Sequence, residues 1–215
     1  MEHRDQRQHQ RGDKHGGGRS ISAPNRFESD DGSADQGIRG ASTPKELTEA
    51  VLFGRVLVAV VANADEVDEH GADKSSHMSV VSIVSSDGRR GLLAFTGLDS
   101  LKAWNPQARP VPVSGVDAAK AAVDDGCEAL VIDVAGPDTA VVQEPDLLAI
   151  AGIDPLNHAA AVLTDRLQDA SVIVDRDSGR LRVMAETAIA QQVAAQIPAR
   201  VLALVPEGIE VVPVE

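Results

Sequence analysis

The sequence predicts an α/β protein of the mixed α+β kind: a mixed β-sheet covered by helices, with a small ββαββ unit at its C-terminal end. Three observations predict it. Helix-capping pairs alternate with short apolar runs, turn signals fall between them, and the core has to be built from small branched side chains. Phe, Trp and Tyr together make up 2% of the chain and Tyr is absent, while hydrophobic residues reach 43%. Val, Ala, Leu and Ile must therefore fill the interior, which suits strands packed beneath alanine-rich helices.

Residues 1–42 are dominated by Gly, Ser, Asp, Gln and Arg, with Ile21, Phe27 and Ile38 isolated among them. So little apolar surface does not offset the entropy of ordering, and the segment reads as a disordered tail. Deleting it is expected to leave the melting temperature almost unchanged. His3, His9 and His15 fix no coordination geometry, and Gly16-Gly17-Gly18 neither follows a strand nor opens a helix.

Order is expected to begin at Thr43-Pro44-Lys45-Glu46, which combines a capping box with proline at the first helical position. Leu47, Ala50 and Val51 share a helix face, and Gly54 stops it. Val56 to Ala62 is an apolar run of strand length, followed by an acidic loop at 63–76. Met78 to Val84 and Gly91 to Thr96 read as a hairpin about the turn Ser85-Ser86-Asp87-Gly88. A short helix is expected from Asp99 to Trp104, then an edge strand at Val111 and Val113 among prolines.

Val116 to Asp125 is an alanine-rich helix stopped by Gly126, and Cys127 to Val134 is a buried strand. A short strand at Ala140–Gln143 and a helix at Pro145–Ala151 complete a domain spanning residues 43–152. The second unit, 153–215, opens with the cap-and-proline pair Asp154-Pro155 and continues to Leu167 at helical spacing. Val172–Val174 and Leu181–Met184 flank a turn at Asp177-Ser178-Gly179, and Ala185–Gln196 reads as helix. Val201–Val205 and Ile209–Val214 read as a terminal strand pair about Glu207-Gly208. Whether this unit continues the first sheet is left open.

Charge narrows the partners. The net charge of −13 lies wholly on residues 43–215, because acids and bases balance in residues 1–42. Such a field repels phosphate backbones and anionic lipid, so nucleic acid and membranes are disfavoured, while basic partners and cations are electrostatically easier; a protein partner is expected. No apolar run approaches the roughly 18 residues of a membrane span, the N-terminus has no apolar leader, and the expected compartment is the cytoplasm.

Catalytic patterns are not found. The sequence has no G-x-S-x-G, Walker or dinucleotide fingerprint, and His70, His77 and His158 have no zinc spacing. Cys127 lies among Asp124, Asp125 and Glu128 on a buried strand, a setting for an inert thiol. Asp175-Arg176-Asp177-Ser178-Gly179 lacks the distal glutamate of a calcium loop and reads as a hairpin turn. No catalytic residue, metal ligand or cofactor is therefore assigned.

Two stretches carry a resemblance. Leu93-Ala94-Phe95-Thr96, Ser100-Leu101-Lys102-Ala103-Trp104 and Ala108-Arg109-Pro110-Val111-Pro112-Val113 form the first, and Ala129-Leu130-Val131-Ile132-Asp133 with Gly136-Pro137 the second. Over residues 45–152 the chain resembles the N-terminal domain of the SseB (enhanced serine sensitivity) family, in its actinobacterial type. Val134 stands where that family often has proline. The resemblance implies a small cytoplasmic α/β module of unknown biochemical role, with Phe95, Trp104, Pro110, Gly136 and Pro137 as packing residues, and it supplies no established active-site residues to carry over. The expected role is non-enzymatic, a protein-interaction or regulatory module. The alternative is a small-ligand binder or enzyme whose site lies near Thr96, Arg109 and Asp133. Thr96 and Asp133 end predicted strands, and Arg109 offers a guanidinium fork to a carboxylate.

Overall fold

The computed structural model describes residues 27–62, 78–136 and 138–215. The expectations placed on residues 1–26, residues 63–77 and Pro137, including His3, His9, His15, Gly16-Gly17-Gly18, His70 and His77, lie outside them.

Residues 27–42 correct the sequence reading. They hold a short helix, α1 (Gln36–Arg39), capped by Asp35, whose carboxylate accepts from the backbone N–H groups of Gly37 and Ile38. Ile38 is 3% exposed and packs into the main core. Arg55 straps the same segment down, with Nε 2.6 Å from Asp30 Oδ2 and Nη2 donating to Ser33 O. One buried isoleucine and a web of hydrogen bonds order a stretch whose composition reads as disordered.

The next helix, α2 (Pro44–Phe53), has the predicted capping box between Thr43 and Glu46 and ends at Gly54. β1 (Arg55–Ala62) follows, then β2 (Met78–Val80), β3 (Ser82–Val84) and β4 (Arg90–Phe95). β1 pairs antiparallel with β2 through its outer half and with β4 at Leu57 and Val58. Val81 marks the corner between the two arms, donating to Ala59 O and accepting from Leu93 N–H. β3 and β4 form the predicted hairpin, with Gly88 at φ 85° in its turn.

After α3 (Leu98–Trp104), β5 (Arg109–Ser114) runs antiparallel to β1 as an edge strand. α4 (Gly115–Asp124) leads to β6 (Ala129–Ile132), which lies parallel to β4, and β7 (Ala140–Gln143) closes the sheet antiparallel to β6. Gly115 starts α4 against the backbone of Val51, and any side chain there would collide with that carbonyl. α5 (Asp146–Ala151) ends at Gly152 in the left-handed region.

Strand alternation then decides what covers each face. Val56, Val58, Leu92, Ala94, Leu130, Ile132 and Val142 point to one side, where α2, α4 and α5 pack. Leu57, Ala59, Leu93 and Phe95 point to the other, where Leu101 of α3 covers them. Phe95 and Trp104 meet there with ring centroids 5.5 Å apart, as packing residues should.

The C-terminal unit has its own three-stranded sheet. α6 (Pro155–Arg166) precedes β8 (Ala170–Asp175) and β9 (Arg180–Glu186), an antiparallel hairpin. α7 (Ala190–Ala195) and α8 (Ala199–Leu204) then cross back to β10 (Ile209–Val214), parallel to β9. Val201–Val205 is thus largely helix, not strand. Val201, Leu204 and Val205 are buried while Leu202 and Ala203 are exposed, the spacing of a helix face that a short apolar run does not distinguish from a strand. Parallel pairing of β9 with β10 also requires a crossover, which these helices supply. Ala185 and Glu186 belong to β9, so the predicted helix there shrinks to α7.

The two units are joined by packing and charge. Leu148 of α5 belongs to the second core, and Val123 and Ile153 touch both. Arg200 Nη1 lies 2.8 Å from Glu128 Oε1, and His158 Nε2 lies 3.1 Å from Glu144 Oε1.

Candidate functional site

β4 and β6 are parallel, so Thr96 and Asp133 emerge side by side at their C-terminal ends, where open sheets place ligands. Asp133 sits at φ 52°, a backbone region that Asp tolerates better than most side chains. Its backbone N–H donates to Ala94 O, and its carbonyl accepts from Gly136 N–H at 2.8 Å and from Thr139 Oγ1 at 3.0 Å. That twist turns the carboxylate back onto β4. Oδ1 accepts the Thr96 N–H at 2.8 Å and Oδ2 accepts the Thr96 hydroxyl at 2.6 Å.

The sequence reading therefore brings two of its three site residues together. Arg109 is not the third. It lies exposed on β5, across β1 opposite Val60. The physical reason is pairing: β5 joins the far side of β1, whereas β6 joins β4. Pro110, beside it, is exposed at the same edge.

The guanidinium that does reach the cluster belongs to Arg39, a residue the sequence reading assigned to the tail. Its Nε and Nη2 donate to Thr96 Oγ1 at 3.2 and 2.9 Å, and Nη2 lies 3.9 Å from Asp133 Oδ2. Nη1 and Nη2 also grip both oxygens of Asp99 at 2.9 Å. The bidentate bond holds the Asp99 carboxyl below its ordinary range and pushes the Arg39 guanidinium above its own. The only sequence trace of this arrangement is Ile38 behind the capping Asp35, a weak signal in so polar a stretch.

Beside the cluster is a recess of about 170 Å³ lined by Ile38, Arg39, Asp133, Asp138 and Thr139 among others. Apart from the exposed Asp138, its polar side chains are already engaged. Thr96 uses its N–H and hydroxyl on Asp133, and its carbonyl accepts from Asp35 N–H and from Arg55 Nη1. Among the described residues no group of three or more His, Cys, Asp or Glu side chains is placed to hold a metal ion. Cys127 is buried, and desolvation, aided by the nearby Asp125 charge, pushes its thiol up to about 11. Asp175 caps the β8–β9 turn by accepting from Ser178 N–H, so the calcium-like stretch is a hairpin turn as read.

A larger groove, about 360 Å³, opens where α8 meets the sheet. Ile83, Gly91, Ala129, Val131 and Val141 form its floor, and Arg89, Arg90 and Arg200 stand around it. Nothing in the sequence announced it, because its walls come from β3, β4, β6, β7 and α8.

No helix among the described residues is long and apolar enough to cross a membrane. No curated protein and no solved structure matches the chain. A profile of the SseB protein N-terminal domain matches residues 34–149, beginning just before Arg39 and ending in α5. That span is more than half of the sequence and contains Arg39, Thr96 and Asp133 alike, and the chain belongs to the SseB family through this N-terminal domain.

Proposed function

We propose that this SseB-family chain is a non-enzymatic protein-interaction or regulatory module of the cytoplasm. One observation carries the reading: the polar groups gathered at the ends of β4 and β6 are committed to one another. A site that binds or transforms a small molecule keeps donors or acceptors for it. Here the Asp133 carboxylate is held by Thr96, and the Arg39 fork is closed by Asp99. The recess beside them, near 170 Å³, is also small against the several hundred Å³ of a typical ligand pocket. The excess of acid on residues 43–215 supports a protein partner over nucleic acid or an anionic membrane.

The test is capture of the intact protein from lysate with mass spectrometry, alongside thermal-shift screening against metabolites. Reproducible recovery of one partner, with no metabolite shift, is the expected result. No reproducible partner together with a metabolite-induced shift that Asp133→Asn abolishes would replace this reading with the small-ligand one.

A further inference from the structure

Edge strands carry unpaired backbone groups, and this chain protects most of its own. In β5, Pro110 stands opposite Ala59, whose carbonyl accepts from Val81 N–H and so turns away from β5. Pro110 and Pro112 therefore direct their backbone nitrogens outward, where an added strand would look for donors. In β10, Gly208 O and Val214 O accept from Leu181 and Thr187 N–H, so the even-numbered residues turn to β9 and Pro213 faces out. β2, β3 and β7 are only three or four residues long, which also discourages pairing.

β8 has neither protection. It is six residues long and contains no proline. Because Leu181 and Thr187 face β10, Arg182 and Met184 face β8, and their partners Ile173 and Ser171 face back to them. Alternation then points the N–H and C=O groups of Val172 and Val174 away from the sheet. Among the described residues none hydrogen-bonds to them. The side chains of Val172 and Val174 pack toward the second core, so that of Ile173 lies on the opposite face, 50% exposed.

Charge selects the occupant. Ala170-Ser171-Val172-Ile173-Val174 has no ionisable side chain, on a chain of net charge −13. Two copies of so acidic a chain repel each other least along such a strip. Outward groups must meet outward groups, which limits the register of an antiparallel self-pairing. With a two-fold axis at Val172, Asp175 of each copy faces Asp169 of the other, a like-charge pair. With the axis at Val174, Ile173 faces Asp175. With the axis at Ile173, Val172 faces Val174, Asp175 faces Ser171, and the exposed isoleucine meets its own counterpart. Asp169 then falls level with the turn holding Arg176 and Asp177, one charge of each sign.

We infer that two copies of this chain associate through β8, antiparallel about a two-fold axis at Ile173, which joins their C-terminal sheets into one. The pairing consumes both β8 edges, and proline closes the β10 edges at either end, so the assembly stops at two. It goes beyond the interaction reading above and does not depend on it.

Ile173→Cys tests it in the full chain. At a non-hydrogen-bonded pair the α-carbons lie about 4.5 Å apart, within reach of a disulfide. Copper–phenanthroline, which takes up the two electrons the thiols release, should convert this variant to a covalent dimer on a non-reducing gel. Ser171→Cys should stay monomeric there, since its counterpart lies about 13 Å along the strand. Cys127 is buried, so wild type supplies the background. Sedimentation velocity of wild type should show a monomer–dimer equilibrium that added salt strengthens by screening the like net charges. Ile173→Lys, a change at an exposed position, should weaken that equilibrium about tenfold or more while the melting of dilute protein is unchanged. A wild-type chain that stays monomeric overturns the inference. So does a dimer that Ile173→Lys leaves untouched, or one in which the two cysteine variants cross-link alike.

Discussion

The cluster at the ends of β4 and β6 and the groove under α8 use the same chemistry, arginine beside carboxylate, at different depths. In the cluster, Arg39 closes on Asp99 and Thr96, and Asp133 closes on Thr96, so every strong group is answered from within the chain. At the groove the pairs lie near the surface, Arg89 with Asp87 and Arg90 with Asp125, and Arg200 with the more buried Glu128. Convergence of polar residues at strand ends is therefore a poor guide to a site by itself. What distinguishes a site from a clasp is what is left over after the internal bonds are counted.

If the cluster is a clasp, its loss is paid in stability. The largest effect is expected from deleting residues 1–42, contrary to what composition suggests. That deletion removes Ile38 from the core, Arg39 from Thr96, and Asp30 from the largely buried Arg55. A loss of about 4 kcal/mol, on the order of 10 °C in melting temperature, is expected by calorimetry. A change under a degree would mean that the segment adds nothing.

Asp133→Ala comes next. It leaves the Thr96 N–H and hydroxyl buried without their acceptor and puts alanine at a positive φ, for a loss of about 3 kcal/mol in denaturant unfolding. Asp133→Asn keeps one acceptor and a residue that accepts this backbone region, so its cost should be about half as large. Equal losses for the two would break the clasp account.

Asp99→Asn should cost less, because the Asp99 side chain is mostly exposed and its bond to Arg39 is screened. The pH dependence has a definite sign. The folded-state pKa of Asp99 lies below its unfolded value, so its stabilisation is present above the unfolded pKa and fades as pH falls through the folded one. The melting difference between wild type and Asp99→Asn, about 1–3 °C at neutral pH, should thus vanish in strong acid. A difference that grows on acidification would contradict the assignment.

The smallest effect on stability is expected for Arg89→Ala, within about 1 °C of wild type, since both Arg89 and its partner Asp87 are exposed. This variant sharpens the comparison, since an exposed pair should cost far less than the buried bonds of the cluster.

Much of the fold is legible because it is locally encoded. The Thr43–Glu46 capping box, the Asp154-Pro155 start of α6 and the Gly126 stop of α4 each lie within a few residues of the element they define. Thr96 and Asp133 are legible as strand ends for the same reason. Arg39 is not, because its meaning depends on Thr96, 57 residues away, and on one isoleucine in a polar stretch. Arg109 has the right chemistry on the wrong strand, and strand order is not written in local sequence. Val201–Val205 shows the remaining ambiguity: five apolar residues suit a helix face and a strand equally until β10 pairs parallel to β9.

One measurement tests the clasp most directly. In a denaturant-unfolding double-mutant cycle, the losses for Asp133→Ala and Thr96→Val should be coupled by about 1 kcal/mol or more, because each removes the other's buried partner. Additive losses would contradict the account and return the cluster to the status of a binding site.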